Sequence, residues 1–114
     1  MIGSLKGIVT ATGEDRALIE VQGVGYLVFA GARTLSRMGH GAVVHMFVET
    51  QMREDSLKLF GFLSDSERAW FARLQEISGV GAKVALSILD VFDKSIRLKN
   101  MDYSLIVAFK SQSI

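Results

Sequence analysis

The residues best suited to chemistry lie between two apolar runs of helical spacing, Leu74-Gln75-Glu76-Ile77-Ser78-Gly79-Val80-Gly81-Ala82-Lys83-Val84-Ala85-Leu86-Ser87-Ile88-Leu89. Gly79 can leave the first helix with positive φ, Val80 can plug the hairpin, and Gly81 removes a side chain where the second helix exposes unpaired amides. Amides at the positive end of a helix dipole suit a phosphate oxygen, and Lys83 in the first turn adds a point charge beside them. Gly79, Val80, Gly81, Ala82 and Lys83 are therefore the candidate site for a nucleic-acid backbone, gripped without reading bases. The competing account is a plain helix–glycine–helix connection with an incidental lysine. Gly-x-Gly alone does not separate the two; the flanking apolar positions and the lysine favour phosphate.

A second candidate is Gln51-Met52-Arg53-Glu54-Asp55-Ser56, which joins two strands. Hairpin tips are usually polar, and carboxylates there are most often simply solvated. Glu54 and Asp55 could instead repel phosphates and hold strands apart. Screening confines such repulsion to roughly 8 Å at physiological salt, so the tip would have to touch the nucleic acid. The residues alone leave both accounts open, and the solvated tip is the commoner case.

The elements that must position these residues change period once along the chain. Leu5-Lys6-Gly7-Ile8-Val9, Ala17-Leu18-Ile19-Glu20-Val21 and Tyr26-Leu27-Val28-Phe29 read as strands, rich in β-branched and aromatic residues and bounded by turn formers. Gly23-Val24-Gly25 sits between two of them as a turn or bulge. Arg33-Thr34-Leu35-Ser36-Arg37-Met38 predicts a short helical turn with Gly39 as its left-handed end. Residues 42–52 predict a long strand with Val43, His45 and Phe47 on one face and Val44, Met46 and Val48 on the other, both largely apolar and so both expected to be buried. Leu57-Lys58-Leu59-Phe60-Gly61-Phe62 makes a fifth strand. Five strands with a helical element between the third and fourth is the order of an OB-type barrel.

Ser64-Asp65-Ser66-Glu67 is then a capping box, and Trp70, Phe71, Leu74 and Ile77 follow at helical spacing in a helix expected to stop at Gly79. A second helix starts around Ala82, with Val84, Ala85, Ile88 and Leu89 on one face. The expected organisation is a barrel over 1–63, a helix-hairpin-helix segment over 64–92, and a tail over 93–114 without clear start or stop signals. Trp70 and Phe71 read as core rather than as base-stacking platforms.

Composition excludes several functions. A chain of 114 residues with 49% hydrophobic and 22% charged residues can bury a core, so disorder is not expected. The lack of cysteine removes disulfides, thiolate metal sites and cysteine nucleophiles. His40 and His45 are too isolated for a metal site, and His45 reads as a hydrogen-bonded sheet residue. There is no P-loop and no nucleophile–base pair, so no catalytic residue, metal or cofactor is expected. No signal segment or membrane-length apolar run is seen, and the chain reads as cytoplasmic with no membrane partner. A net charge of +1 is low for a nucleic-acid binder, whose affinity usually comes from phosphate neutralisation.

Met1-Ile2-Gly3-Ser4-Leu5-Lys6-Gly7, Val21-Gln22-Gly23-Val24-Gly25-Tyr26, Arg53-Glu54-Asp55, Leu59-Phe60-Gly61-Phe62 and Ile77-Ser78-Gly79-Val80-Gly81-Ala82-Lys83 occur in order. Together they resemble the RuvA family of bacterial Holliday-junction proteins over residues 1 to about 92. The resemblance implies an OB-fold followed by a helix-hairpin-helix domain, assembled as a homotetramer that holds four-way junction DNA open and works with a RuvB-type hexameric ATPase. It also implies that Glu54 and Asp55 form an acidic pin at the junction centre, and that Gly79, Val80, Gly81 and Lys83 form the first of two DNA-binding hairpins. Four copies acting on one junction would offset the low net charge, because later contacts become intramolecular. The family's second hairpin and motor-contacting domain find no match in 93–114, which reads as a divergent or truncated tail and puts recruitment of the ATPase in question.

Two other functions compete. A truncated, oligomerising remnant would bind DNA weakly and non-specifically. A helix-hairpin-helix base-excision enzyme would pair Lys83 with Asp102, but the preceding barrel and the short chain argue against it.

Overall fold

The computed structural model describes residues 1–91. The tail 93–114, with Asp102 in it, lies outside the described residues. Five strands, β1 (Ser4–Thr12), β2 (Arg16–Val21), β3 (Val24–Phe29), β4 (Val43–Arg53) and β5 (Ser56–Phe62), close into a barrel in the order β1-β2-β3-β5-β4. Among the described strands only the β3–β5 closure is parallel. The helix α1 (Ala32–Leu35) lies between β3 and β4, as the OB-type reading requires. An irregularity between Val9 and Ala11 shifts the register of β1 against β2, the kind of local bend that a small barrel needs to close. The β2–β3 connection is a two-residue turn with Gln22 and Gly23 at φ 50° and 87°, the positive-φ pair that suits strand twist.

Alternation fills the barrel. Val9, Ile19, Val28 and Met46 are fully buried inside it, with Leu59, Val48 and Leu5 around them. In β4 only the Val44, Met46 and Val48 row turns inward. Val43 is 71% exposed and His45 stands exposed beside it, its ring centroid 4.8 Å from that of Phe47. The expectation that both faces of this strand are buried is thus corrected. The strand is central in its pairing, between β1 and β5, but a barrel has one core and its outer face meets solvent.

The end of α1 also differs from expectation. The left-handed glycine is Gly41 (φ 84°), not Gly39. After Leu35 the chain continues through tight turns, with the Arg37 and Met38 amides donating to Thr34 and Leu35 carbonyls. Met38 is thereby buried, so the reversal falls later, where the Gly41 amide donates to the Val9 carbonyl.

Two helices follow, α2 (Asp65–Leu74) and α3 (Ala82–Val91). The Ser64 hydroxyl accepts the Glu67 amide at 3.2 Å, which fixes the start of α2. The helix ends at Leu74, earlier than the apolar spacing suggests. From there to Gly79 the chain tightens into turns in which Glu76, Ile77 and Val80 amides reach carbonyls three residues back. This keeps Ile77 against the core and turns Val80 into it.

Among the described residues the helices have no core separate from β5. Phe71, Leu74, Val80, Ala85, Ile88 and Leu89 pack with Phe60 and Phe62 of β5 in one cluster. The Phe71 ring lies 5.0 Å and 4.9 Å from those of Phe60 and Phe62. Trp70 is half-buried at the edge of the cluster, with the Arg73 guanidinium 5.0 Å over its ring. Among the described residues, no helix is long and apolar enough to cross a membrane.

Candidate nucleic-acid interface

The hairpin between α2 and α3 has the form that its residues call for. Gly79 has φ 84°, and Val80 is 5% exposed. Burying an aliphatic side chain of that size is worth roughly 1.5–3 kcal/mol, enough to pin the loop between its helices. The first intrahelical bond of α3 runs from the Ala85 amide to the Gly81 carbonyl at 3.0 Å. The amides of Ala82, Lys83 and Val84 therefore precede the helical ladder and have no acceptor within it. Among the described residues a side chain at Gly81 would meet nothing within 4 Å, so no contact with them demands glycine there. Lys83 is exposed beside these amides.

At the β4–β5 tip, Glu54 and Asp55 form a two-residue turn between Arg53 and Ser56, which face each other across the ladder. Both acidic residues are exposed. The hairpin behind them has two unlike faces. One carries Glu49, Gln51, Arg53 and Lys58, and is tied to the helical segment. Arg68 donates to Glu49 at 2.9 Å, and the Gln51 amide donates to Gln75 at 2.7 Å. The other continues the inward row of the barrel beyond its core, so Met52 and Leu57, cross-strand neighbours, end 73% and 54% exposed.

The tip and the hairpin share a surface. A groove of about 310 Å³ is lined by Arg53, Asp55, Ser56 and Lys58 on one side and Ala82 on the other. A second cleft of about 520 Å³ shares Lys58, Phe60 and Ala82 with it and extends to Lys83, Phe29, Asp15 and Arg16. Asp55 of the tip and Ala82 and Lys83 of the hairpin thus line two adjoining clefts, whereas Glu54, Gly79, Val80 and Gly81 lie outside the lining of both.

Arg16 and Lys58 are positions that reading the sequence for motifs does not single out. The Arg16 guanidinium lies 4.7 Å over the Phe29 ring and the Lys58 ammonium 5.4 Å over it. Arg16 also donates through Nε and Nη2 to the two Asp15 oxygens, at 2.7 Å and 3.3 Å. That bond, and further off the charge of Lys83, hold the Asp15 carboxyl below its ordinary pKa, so it stays ionised in the cleft. The signal for these cations was present only as first residue and outward position of two strands, with the aromatic between them supplied by a third. Among the described residues, no group of three or more histidines and carboxylates could hold a metal ion.

Residues 1–61 match the family model described as the RuvA N terminal domain. The chain is also 57% identical over 90 residues to a protein of Maricaulis maris, a match covering 79% of this chain and 42% of that one. It is 54% identical over 90 residues to one of Rhizobium etli, covering 78% and 44%, and 51% identical over 94 residues to one of Methylobacterium radiotolerans, covering 82% and 46%. Each of these relatives carries the name Holliday junction branch migration complex subunit RuvA. The chain matches less than half the length of each of them.

Proposed function

Since the chain belongs to the RuvA N-terminal domain family, we propose that it binds four-way DNA junctions as a homotetrameric scaffold, the non-catalytic subunit of a cytoplasmic branch-migration complex driven by a RuvB-type ATPase. The observation that carries this reading is the placing of the first turn of α3 and the β4–β5 tip on one groove, lined by Ala82 from the one and by Arg53, Asp55 and Ser56 from the other. Phosphates bind the α3 amides and Lys83, while Glu54 and Asp55 project where strands must part. A helix N-terminus supplies the attraction without base readout, which suits a structure-specific rather than a sequence-specific binder.

The exposed pair Met52 and Leu57 supports self-association near the tip. Apolar contact among copies at this point would gather their acidic tips around one centre. It would also set several hairpins on one DNA, raising the effective concentration of each later contact despite a net charge of +1 per chain.

The test is a titration of the chain against a four-way junction and a length-matched duplex at one fixed salt concentration. Strong preference for the junction is expected. Equal affinity for the two would sink the junction reading and leave a weak backbone binder, with Kd on the order of 10⁻⁴ to 10⁻⁶ M.

A further inference from the structure

Three cations from three separate elements converge on the larger cleft, and the helix hairpin accounts for only one of them. Lys83 comes from the first turn of α3, Lys58 from β5, and Arg16 from the first position of β2. Phe29 seats two of these head groups, at 4.7 Å for Arg16 and 5.4 Å for Lys58. A cation held over a ring face loses little freedom when it then meets an anion. Asp15 fixes the Arg16 fork further by engaging Nε and Nη2, which leaves Nη1 outside that pair. The lining carries three cations against the single carboxylate of Asp15, so the cleft is positive overall.

We propose that Arg16 and Lys58 form a barrel-side phosphodiester site, so that a DNA strand bound at the α3 hairpin is also gripped from the opposite wall of the cleft. The proposal rests on the DNA-binding reading above and assigns it two residues outside the helix hairpin. The shape of the depression favours a chain of phosphates over one small anion. Its two parts, of about 520 and 310 Å³, are both bordered by Lys58, Phe60 and Ala82, and together they reach from Arg16 to Asp55. Cations already lie over the Phe29 ring, so backbone binding rather than base stacking is the use open to it.

The experiment measures junction binding by the whole chain across a series of salt concentrations. Each lost phosphate contact lowers the slope of log K against log salt by roughly 0.9 on B-form DNA. Lys58→Gln is expected to lower the slope by about that amount, and Lys58→Arg to restore it. Arg16→Gln alone would unmask Asp15, so the pair Asp15→Asn/Arg16→Gln, which keeps net charge constant, is the cleaner probe and is also expected to lower the slope. Lys6→Gln, on β1 away from the cleft, serves as the control and should leave the slope unchanged. An unchanged slope in both Lys58→Gln and the Asp15/Arg16 pair, with a reduced one in Lys83→Gln, would overturn the barrel-side site and leave the hairpin reading intact. Failure of the unaltered chain to bind DNA at all would overturn both.

Discussion

Gly31 admits the carboxylate of Asp90 to the start of α1. Asp90 Oδ2 accepts the Ala32 amide at 3.1 Å and Oδ1 the Arg33 amide at 3.3 Å, so a residue near the end of α3 caps a helix 58 positions earlier in the chain. Gly31 has φ −72°, which any residue can adopt; its glycine is a matter of space. A Cβ there would stand 2.5 Å from Asp90 Oδ1. A carboxylate at the start of α1 accepts from two amides that a helix leaves free at its N-terminus. Its position makes sense through α1, which it fastens to the helical segment.

This pairing predicts non-additive mutants. Asp90→Ala should cost about 1 kcal/mol, the usual value of a lost N-cap. Gly31→Ala should cost roughly 1–3 kcal/mol by overpacking against the carboxylate. In the double variant the clash is gone, so the two costs should sum to more than the measured loss. Urea denaturation of the four proteins checks it, and simple additivity would show that the two positions do not communicate.

Arg68 predicts an acid-dependent contribution. Its Nε donates to Asp65 at 2.6 Å and its Nη1 to Glu49 at 2.9 Å, joining α2 to β4. The bond from Arg68 holds the Asp65 carboxyl below its ordinary pKa. A carboxyl depressed by folding adds stability above its unfolded pKa, about 3.9 for Asp. That stability is lost as pH falls through the folded value. Asp65 is exposed, so the gain is small and weakened by salt. The stability gap between the natural chain and Arg68→Ala should therefore be widest near neutral pH and low salt, and narrow below about pH 4. A gap that widens in acid would contradict this.

Glu54 and Asp55 should affect discrimination and leave the fold alone. Both are exposed at a turn, and substitutions at such positions usually change stability by less than about 0.5 kcal/mol. Glu54→Gln/Asp55→Asn removes repulsion that any strand crossing the tip would feel. Duplex affinity should rise more than junction affinity, most clearly at low salt, where the Debye length is long. The ratio of the two affinities, measured in parallel titrations, is the readout. An unchanged ratio would return both residues to the solvated-tip account.

Met52 and Leu57 predict the oligomer. Both belong to the inward row of the barrel but lie past its core, 73% and 54% exposed. Met52→Ser/Leu57→Ser should therefore leave the barrel of each subunit about as stable as before while shifting the chain to smaller species. Light scattering coupled to size exclusion reads the mass directly. If the mass is unchanged, Met52 and Leu57 are not where copies meet.

The strands, the barrel order and the glycine hairpin were legible because each is written in local periodicity. Tertiary relations were not. Gly7 and Gly61 stand in runs that mark the family resemblance, yet nothing nearby in sequence explains them. A Cβ at Gly7 would strike the Glu20 carbonyl, and one at Gly61 would come within 2.5 Å of Val28 Cγ1 and 2.7 Å of Met46 Cε. The outer face of β4 reads as buried because its Val43, His45, Phe47 row is largely apolar, and only barrel closure puts that row outside. Arg16, Lys58 and Asp90 were missed for a shared reason: each acts on a partner from a distant element, a relation that spacing cannot encode.

The two hairpin glycines should separate folding from binding. Gly79 has φ 84°, a conformation that costs an L-residue roughly 1–2 kcal/mol, so Gly79→Ala should destabilise the chain by about that much. Gly81 is different. It carries no positive φ, its Cβ direction meets none of the described residues, and its carbonyl starts the α3 ladder, so it occupies the N-cap position. Serine is a better N-cap than glycine by a few tenths of a kcal/mol, so Gly81→Ser should keep or slightly raise the unfolding free energy. The same serine would stand where a phosphate oxygen approaches the Ala82 and Lys83 amides, and junction affinity should fall. Stability retained with affinity lost would mean that Gly81 is glycine for the sake of a ligand. Affinity retained would mean that no phosphate uses those amides, and the hairpin would revert to a plain connection between two helices.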